Sequence, residues 1–353
     1  MRRHPRLLRA AFVLLPALVV LLVAVACTMP PAPPPPRDSS DYFFCFWNLE
    51  NFFDDRDDGR REPDKSYDEW FAQDKAALKE KLDHLSGALM KMNDGKGPDI
   101  LAGAEVESER AAELLMEALN AKVKDPEQKY KHILFKEVKV GRHIAPVVIT
   151  RLDVEKDRTQ LLGRQQRILE GHLTANGHDL VIVVSHWTSR VSDTEGEKRD
   201  KYGDVIYGRF RAMYKSNPKV DFLVCGDFND PPDDESVTKH LHAIGDKEKV
   251  KAGGDEPYLY HLFPDKKYTD GSAGSHFYKG KWFLFDHIAV SPGLLDDEGW
   301  TCQTETAKVI NDLTADKRGH PHRFGNERDK GERGWSDHFP VSVRLRVAGG
   351  SVP

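Results

Sequence analysis

Six segments of the 353-residue sequence carry an apolar run into a carboxylate, an amide or an imidazole. They are Trp47-Asn48-Leu49-Glu50-Asn51, Ala104-Glu105-Val106-Glu107, Ser185-His186-Trp187, Gly226-Asp227-Phe228-Asn229-Asp230, Phe285-Asp286-His287 and Ser336-Asp337-His338. Singly, each has an ordinary explanation. Asp227 to Asp230 before Pro231-Pro232 reads as a turn, Ser336-Asp337-His338 as a surface loop, His186 as a satisfied core histidine, and Glu105 as the acidic start of a helix. Jointly they call for a common cause, because carboxylates gathered at the ends of buried strands lose hydration and repel one another unless a cation neutralises them. Oxygen donors with a few imidazoles and no thiolate suit a hard ion, Mg²⁺ or Mn²⁺. Such an ion polarises a phosphoryl oxygen and offsets the charge developing there. Imidazole, with an ordinary pKa of about 6.5, exchanges protons near neutral pH, and a carboxylate partner fixes its tautomer. Asn229 can donate to a phosphoryl oxygen without adding negative charge.

These groups need elements to hold them. Tyr42 to Trp47 is continuously apolar and aromatic, a strand buried on both faces with Asn48 at its end. Asp54 to Glu69 is mostly charged and reads as a solvated loop. Leu78, Leu82, Leu85, Leu89 and Met92 recur at helical spacing, ended by Gly95 and Gly97-Pro98. Asp99 to Ala104 is a short strand delivering Glu105, followed by a helix with Leu114, Leu115, Ala118 and Leu119 on one side. Strands are expected over 131–138, 144–150, 166–174 and 179–185, the last two joined by the hairpin signal Asn176-Gly177. A helix near 203–215, a strand over Phe222 to Cys225 and strands over 282–290 and 340–347 complete the list. About ten strands with interspersed helices and no repeat fit an α+β, two-sheet sandwich covered by helices.

Composition narrows the class. At 39% hydrophobic and 31% charged residues, with mean hydropathy −0.58, the chain is neither a polytopic membrane protein nor wholly disordered. Its N-terminus is different: Arg2, Arg3, Arg6 and Arg9 precede an apolar run from Ala10 to Cys27, the pattern of an export signal. Ala24-Val25-Ala26 before Cys27 resembles the lipobox of bacterial lipoproteins, in which the cysteine is acylated; plain cleavage and an uncleaved anchor helix are the alternatives. The prolines between Pro30 and Pro36 are expected to form a stiff spacer. The expected organisation is a signal over 1–27, a linker over 28–40, one domain over 41–347 and a tail over 348–353. Removing residues 1–27 leaves 48 Lys plus Arg against 57 Asp plus Glu, a net charge of −9. Cys45, Cys225 and Cys302 remain, an odd number with no metal-thiolate spacing, so no disulfide framework is implied.

The six segments, in this order over roughly 300 residues, resemble the endonuclease/exonuclease/phosphatase superfamily, the deoxyribonuclease I-like group. Asn48-Leu49-Glu50-Asn51-Phe52-Phe53-Asp54, Asp57-Asp58, Glu105-Val106-Glu107, His186-Trp187-Thr188-Ser189-Arg190 and Gly226 to Pro231 are most similar to its exported bacterial branch. The resemblance implies a four-layer sandwich, two packed and mainly antiparallel sheets flanked by helices, with the site at one end. It implies Glu105 as principal metal ligand with Asn48 and Asp337 near the same ion, and Asp227 and Asn229 positioning water and phosphate. His338, oriented by Asp286, would take a proton or bond the phosphoryl oxygen, and His186 would stabilise the transition state or protonate the leaving oxygen. General-base duty stays open between Asp227 and His338. In the deoxyribonuclease branch a second carboxylate supports the histidine matching His186, whereas this chain offers His132 in the corresponding strand. Arg142, Arg167 and Arg190 match arginines of the bacterial branch and are candidates for phosphate contact or structural ion pairs. Trp187 and Trp335 are expected to pack beneath the site.

The expected activity is metal-dependent phosphoester hydrolysis by a monomer, with nucleic acid as the favoured substrate although the chain lacks a large basic cluster. A small or lipid phosphoester, or a non-catalytic lipoprotein that keeps the fold for binding, are the alternatives. The expected location is the bacterial cell envelope or the exterior, with membrane attachment through the lipid anchor or uncleaved signal.

Overall fold

The computed structural model describes residues 39–139 and 141–349. The expected signal, the lipidation candidate Cys27 and nearly all of the linker lie outside them. Among the described residues no helix is long and apolar enough to cross a membrane.

One sheet has six strands in the order Trp300–Val309, Val341–Ala348, Ser39–Phe52, Ile100–Val106, Ala145–Thr150, His132–Phe135. The other has eight: Ala243–Ile244, Leu259–His261, Asp286–Val290, Phe222–Asp227, His178–His186, Ile168–Ala175 and Asp153–Val154, with Gln160–Leu161 also paired to Ile168–Ala175. Most neighbours are antiparallel. Ser39–Phe52 with Ile100–Val106, His178–His186 with Phe222–Asp227 and the short Ala243–Ile244 with Leu259–His261 are parallel, and parallel neighbours need long crossovers. Helices supply them, Lys65–Gln73 and Lys75–Leu89 for the first pair, Glu197–Ser216 for the second and Lys247–Ala252 for the third.

Apolar residues sort into layers accordingly. Phe44, Phe46, Ile100 and Val343 of one sheet meet Ile182, Val184, Leu223 and Ile288 of the other. Phe43, Cys45 and Trp47 point the opposite way, onto Leu78, Leu85, Leu89 and Leu115 of the helices. This two-sided burial is why 42–47 has no polar alternation. On the far side, Val181, Val183 and Phe222 pack against Tyr202, Ile206 and Phe210. The result is the helix–sheet–sheet–helix sandwich.

Local signals behave as their chemistry dictates. Asp74 caps Lys75–Leu89 by accepting from Ala76 and Ala77 N–H, and Ser108 caps Glu109–Asn120 through Ala111 N–H. Asn176 and Gly177 take φ of 51° and 81°, as a tight hairpin turn requires. The three described cysteines are free and buried.

Several expectations need correction. The first strand starts at Ser39, within the expected linker, and continues past Asn48 to Phe52. Asp54 to Glu69 is a solvated loop only in part: residues 55–63 are irregular and largely exposed, but Lys65–Gln73 begins inside the segment, and Asp54, Asp64 and Asp68 are buried because they accept main-chain N–H groups, Arg56 on Asp54, His143 on Asp64, and Asp58 and Arg60 on Asp68. The strand expected over 282–290 is two, Lys281–Phe283 in a small hairpin and Asp286–Val290 in the large sheet. The later helix starts earlier, at Glu197. Trp300–Val309, an edge strand, has no counterpart in the sequence reading.

Candidate active site

At one end of the sandwich the backbone leaves regular geometry. Glu50, Asn51, Glu105 and Asn229 have φ of 49°, 47°, 62° and 56°. A non-glycine residue there costs about 1–3 kcal/mol and persists only where surroundings enforce it. Pairing between the first two parallel strands runs regularly to Asn48 opposite Ala104 and resumes only at Phe52 opposite Val106. The bulge turns Glu105 so that its Oε2 accepts Asn51 N–H at 2.8 Å. In the other sheet, pairing sets His186 beside Asp227 and Asp227 beside Asp286, one row across three strands. Gly226 lies so close to the Ser185 carbonyl that a Cβ would overlap it, which ties residue 226 to glycine. The last segment is tied in by Trp47 Nε1, which donates to His338 O at 2.8 Å, and by Ser336 Oγ, which donates to Asn48 O at 2.6 Å. These bonds supply the irregular path that lets Asp337 and His338 reach one region.

Both sheets thus deliver side chains to one gap. Asn48 Nδ2 donates to Asp227 Oδ2 at 3.0 Å and approaches Glu105 Oε1 at 3.4 Å, while its Oδ1 accepts Glu50 N–H. His338 Nδ1 pairs with Asp286 Oδ2 at 2.7 Å, and its Nε2 lies 3.8 Å from Asp227 Oδ2. His186 Nε2 lies 3.7 Å from Glu105 Oε1 and 3.8 Å from Asp227 Oδ2. The last three separations are too long for hydrogen bonds. Asn229 stands beside the group, its Nδ2 donating to Trp187 O and its N–H to Asp227 Oδ1. Asp337 joins from the far side, with a carboxylate oxygen within 4.8 Å of ring nitrogens of His276 and His338.

Burial divides the titrating groups. It raises Asp227 to about 7, with His338 opposing and Asp286 assisting. Burial also pulls on His338, but Asp286 and then Asp227 hold this imidazole well above its ordinary value. Against burial, Arg142, the Asn51 N–H, His338 and Arg167 keep Glu105 low. His186 is pushed well below its ordinary value by burial and then by Arg167, Arg142 and His338, and its Nδ1 has no hydrogen-bond partner among the described residues. Among the described residues no carboxylate bonds His186 Nδ1, and His132 lies 3.9 Å from Asp153.

The three arginines part company. Arg142 is clamped to Asp64 Oδ1 at 2.6 Å and Asn51 Oδ1 at 2.5 Å, facing Glu105 and His186. Arg167 donates to Trp187 O at 3.0 Å and has no carboxylate partner among the described residues. Arg190 is taken up by Asp230 at 2.6 Å and Asp234 at 3.8 Å. Trp187 is fully buried under the site, and the half-buried Trp335 packs against His84 and His322.

Sequence reasoning gave no role to four residues, Lys81, Glu50, Arg323 and His276. Lys81 is fully buried, donates to Glu50 O at 3.1 Å and Trp335 O at 2.9 Å, and is pushed down to about 8 by burial against the pull of Glu50. Its place between Leu78 and Leu85 on the apolar stripe was the available signal. Glu50 accepts Phe324 and Gly325 N–H and pairs with Arg323, the latter an exposed cation on the rim. His276 stacks on His338 with ring centres 4.4 Å apart and bonds Asp337 O.

Comparison with known proteins agrees with this architecture. The profile of the Endonuclease/Exonuclease/phosphatase family matches residues 43–347. Among solved structures, an endonuclease/exonuclease/phosphatase family protein from Bacteroides thetaiotaomicron superposes with a TM-score of 0.52 at 14% identity, covering 88% of this chain and 98% of its own. Sphingomyelinase C from Streptomyces griseocarneus gives 0.52 at 13% identity, covering 88% and 100%. A mannosyl-6-phosphatase from Bacteroides thetaiotaomicron gives 0.48 at 14% identity, covering 86% and 99%. At these identities the likeness concerns the fold alone. A search of curated proteins returns no match. With the profile spanning both sheets and every segment of the gap, the chain belongs to the endonuclease/exonuclease/phosphatase family.

Proposed function

We propose that the protein is a divalent-metal-dependent phosphoester hydrolase acting as a phosphodiesterase on nucleic acid. The observation that carries the chemistry is the convergence of Glu105, Asp227, Asn48, His186 and the His338–Asp286 pair on one gap with separations of 3.7–3.8 Å across it. The donor set fits a hard cation: Glu105, held ionised, and Asp227 face each other with Asp337 nearby, and no thiolate is among them. Mg²⁺ or Mn²⁺ held by Glu105, with Asp337 near the same ion, would polarise the phosphoryl oxygen and offset its charge. Asn48, expected as a further ligand, turns its Nδ2 donor to Asp227 and Glu105 and gives its Oδ1 to Glu50 N–H, so it orients the carboxylates instead.

The chain's own residues divide the remaining work. Asp227, near 7, is suited to accept the proton of the attacking water, whereas His338, held protonated by Asp286, is suited to donate to a phosphoryl oxygen. His186 without a partner on Nδ1 remains neutral and serves as a hydrogen-bond donor through Nε2 in preference to protonating the leaving group. Asn229 adds a neutral donor. Arg167, with no carboxylate partner among the described residues, and the exposed Arg323, whose Nε pairs with Glu50, offer cations to the phosphates flanking the scissile one, which supports a polyanionic substrate.

Assays of plasmid DNA, RNA, bis-p-nitrophenyl phosphate, p-nitrophenyl phosphate, inositol phosphates and sphingomyelin with Mg²⁺ or Mn²⁺ test this. EDTA-sensitive cleavage of nucleic acid, lost in His338→Ala, is expected. Turnover of only small or lipid esters overturns the substrate assignment, and no turnover at all overturns the enzyme in favour of a binding role. We also propose export to the bacterial envelope with anchoring at acylated Cys27. A Cys27→Ser chain that stays with membranes after an alkaline wash would replace that anchor by an uncleaved helix.

A further inference from the structure

Behind the row of His186, Asp227 and Asp286 lies a second row. Trp187, Phe228 and His287 each follow one of these residues, and alternation along a strand sends them to the opposite face. All three are fully buried. Their rings form a near-parallel stack: Trp187 and Phe228 have centres 4.3 Å apart at 9°, and Phe228 and His287 have centres 4.6 Å apart at 6°. Tyr202 of the Glu197–Ser216 helix covers the Trp187 end at 5.9 Å.

Hydrogen bonds fix the other end. Phe263 N–H donates to His261 Nδ1 at 3.1 Å, so His261 carries its proton on Nε2 and donates to His287 Nδ1 at 2.6 Å. His287 must then be protonated on Nε2, which donates to Asp230 O at 2.8 Å. Main-chain groups at both ends thus set both tautomers. Asp230 is itself immobilised by Arg199 Nε at 2.6 Å, Arg190 Nη1 at 2.6 Å and Ser236 Oγ at 2.8 Å. The stack also holds the main chain of the site, since Trp187 N–H donates to Asp227 O at 2.8 Å and Trp187 O accepts from Arg167 and Asn229.

We propose that Trp187, Phe228 and His287 are positioning residues: the ring stack, closed by the His261–His287–Asp230 relay, sets the spacing of His186, Asp227 and Asp286 across three strands. The assignment rests on the hydrolase reading above. Misplacing reacting groups by about 1 Å costs on the order of 100-fold in rate, whereas loss of general packing leaves the folded enzyme's rate intact.

The test compares Phe228→Leu with Phe210→Leu, which removes another fully buried ring of the same layer, tilted at 41° against Phe222 at 5.3 Å and otherwise facing the rings of Tyr207 and Tyr214. Both variants lose stability. At a temperature where both are folded, Phe228→Leu is expected to lose ~10–100-fold in kcat with KM within about 3-fold, and Phe210→Leu to keep the parent kcat. Equal kcat in the two overturns the proposal. Should the parent turn over none of the substrates, the hydrolase reading fails, and hydrogen exchange then decides the positioning claim. Faster exchange at the amides of Asp227 to Asp230 in Phe228→Leu but not in Phe210→Leu supports it, and unchanged exchange overturns it.

Discussion

Replacing Asp286 by Asn removes the charge opposite His338 while preserving shape. Both side chains are buried and joined by one bond of 2.7 Å between Nδ1 and Oδ2. Burial works against the imidazolium, and Asp286 is the largest influence that overcomes it, ahead of Asp227. A hydrogen bond to a charged group contributes about 1.5–3 kcal/mol net, and about 1.4 kcal/mol is a factor of ten in rate. Asp286→Asn should therefore lower kcat by roughly 10–150-fold. The carboxylate of Asp286 touches His338 and not the space where substrate binds, so KM should stay within about 3-fold. There is a second signature. With His338 acting as a protonated donor, activity falls on the alkaline side as it deprotonates, and the variant should begin to fall at lower pH. Steady-state rates on bis-p-nitrophenyl phosphate between pH 5 and 10, with folding checked by circular dichroism, measure both. A loss below 3-fold, or an alkaline limb that does not move, refutes the role given to Asp286.

Other perturbations have equally definite outcomes. Arg167→Ala should raise KM for nucleic acid about tenfold and flatten its salt dependence, whereas Arg190→Ala, cutting the pair with Asp230, should lower Tm with KM unchanged. Mn²⁺ at a hundred times its Kd should stabilise the protein by about 2.7 kcal/mol, or roughly 5 °C in a melting scan, and Glu105→Gln should abolish the shift. Asp221 directly precedes the strand whose other end carries Asp227, and burial raises it to about 8 against the Trp300 N–H that bonds its Oδ2, while its Oδ1 has no hydrogen-bond partner among the described residues. The folded state then holds that proton more tightly than the unfolded chain, so stability falls as pH rises from about 4 to about 8. Asp221→Asn should remove that loss, giving a Tm advantage of ~2–6 °C at pH 9 that vanishes near pH 4.

The sandwich was legible in the sequence because its strands are buried on both faces. Phe43 to Trp47, Val181 to Val184 and Phe222 to Cys225 fill two cores at once and so read as unbroken apolar runs. Trp300–Val309 stayed hidden because Thr301, Gln303 and Glu305 alternate with the apolar positions on an edge, and its register slips between Gln303 and Lys308. The row His186, Asp227, Asp286 was visible as polar strand ends, but its backing row was not. Trp187, Phe228 and His287 are ordinary buried residues until pairing shows that they stack. Lys81 was masked by its neighbours Lys79 and Glu80, which suggest a solvated face, although residue 81 turns into the core. Asp54 to Glu69 misled for a related reason, since charge predicts exposure only where no main-chain N–H groups wait to be bonded.

A metal-dependent site built around His338 is the centre of the proposed chemistry. Hydrolysis of bis-p-nitrophenyl phosphate by the parent and by His338→Ala, each with Mn²⁺ and with EDTA, tests it most directly. The prediction is turnover by the parent with Mn²⁺ alone, abolished by EDTA and reduced at least ~100-fold in the variant. Equal rates in parent and variant, or hydrolysis that survives EDTA, would contradict it.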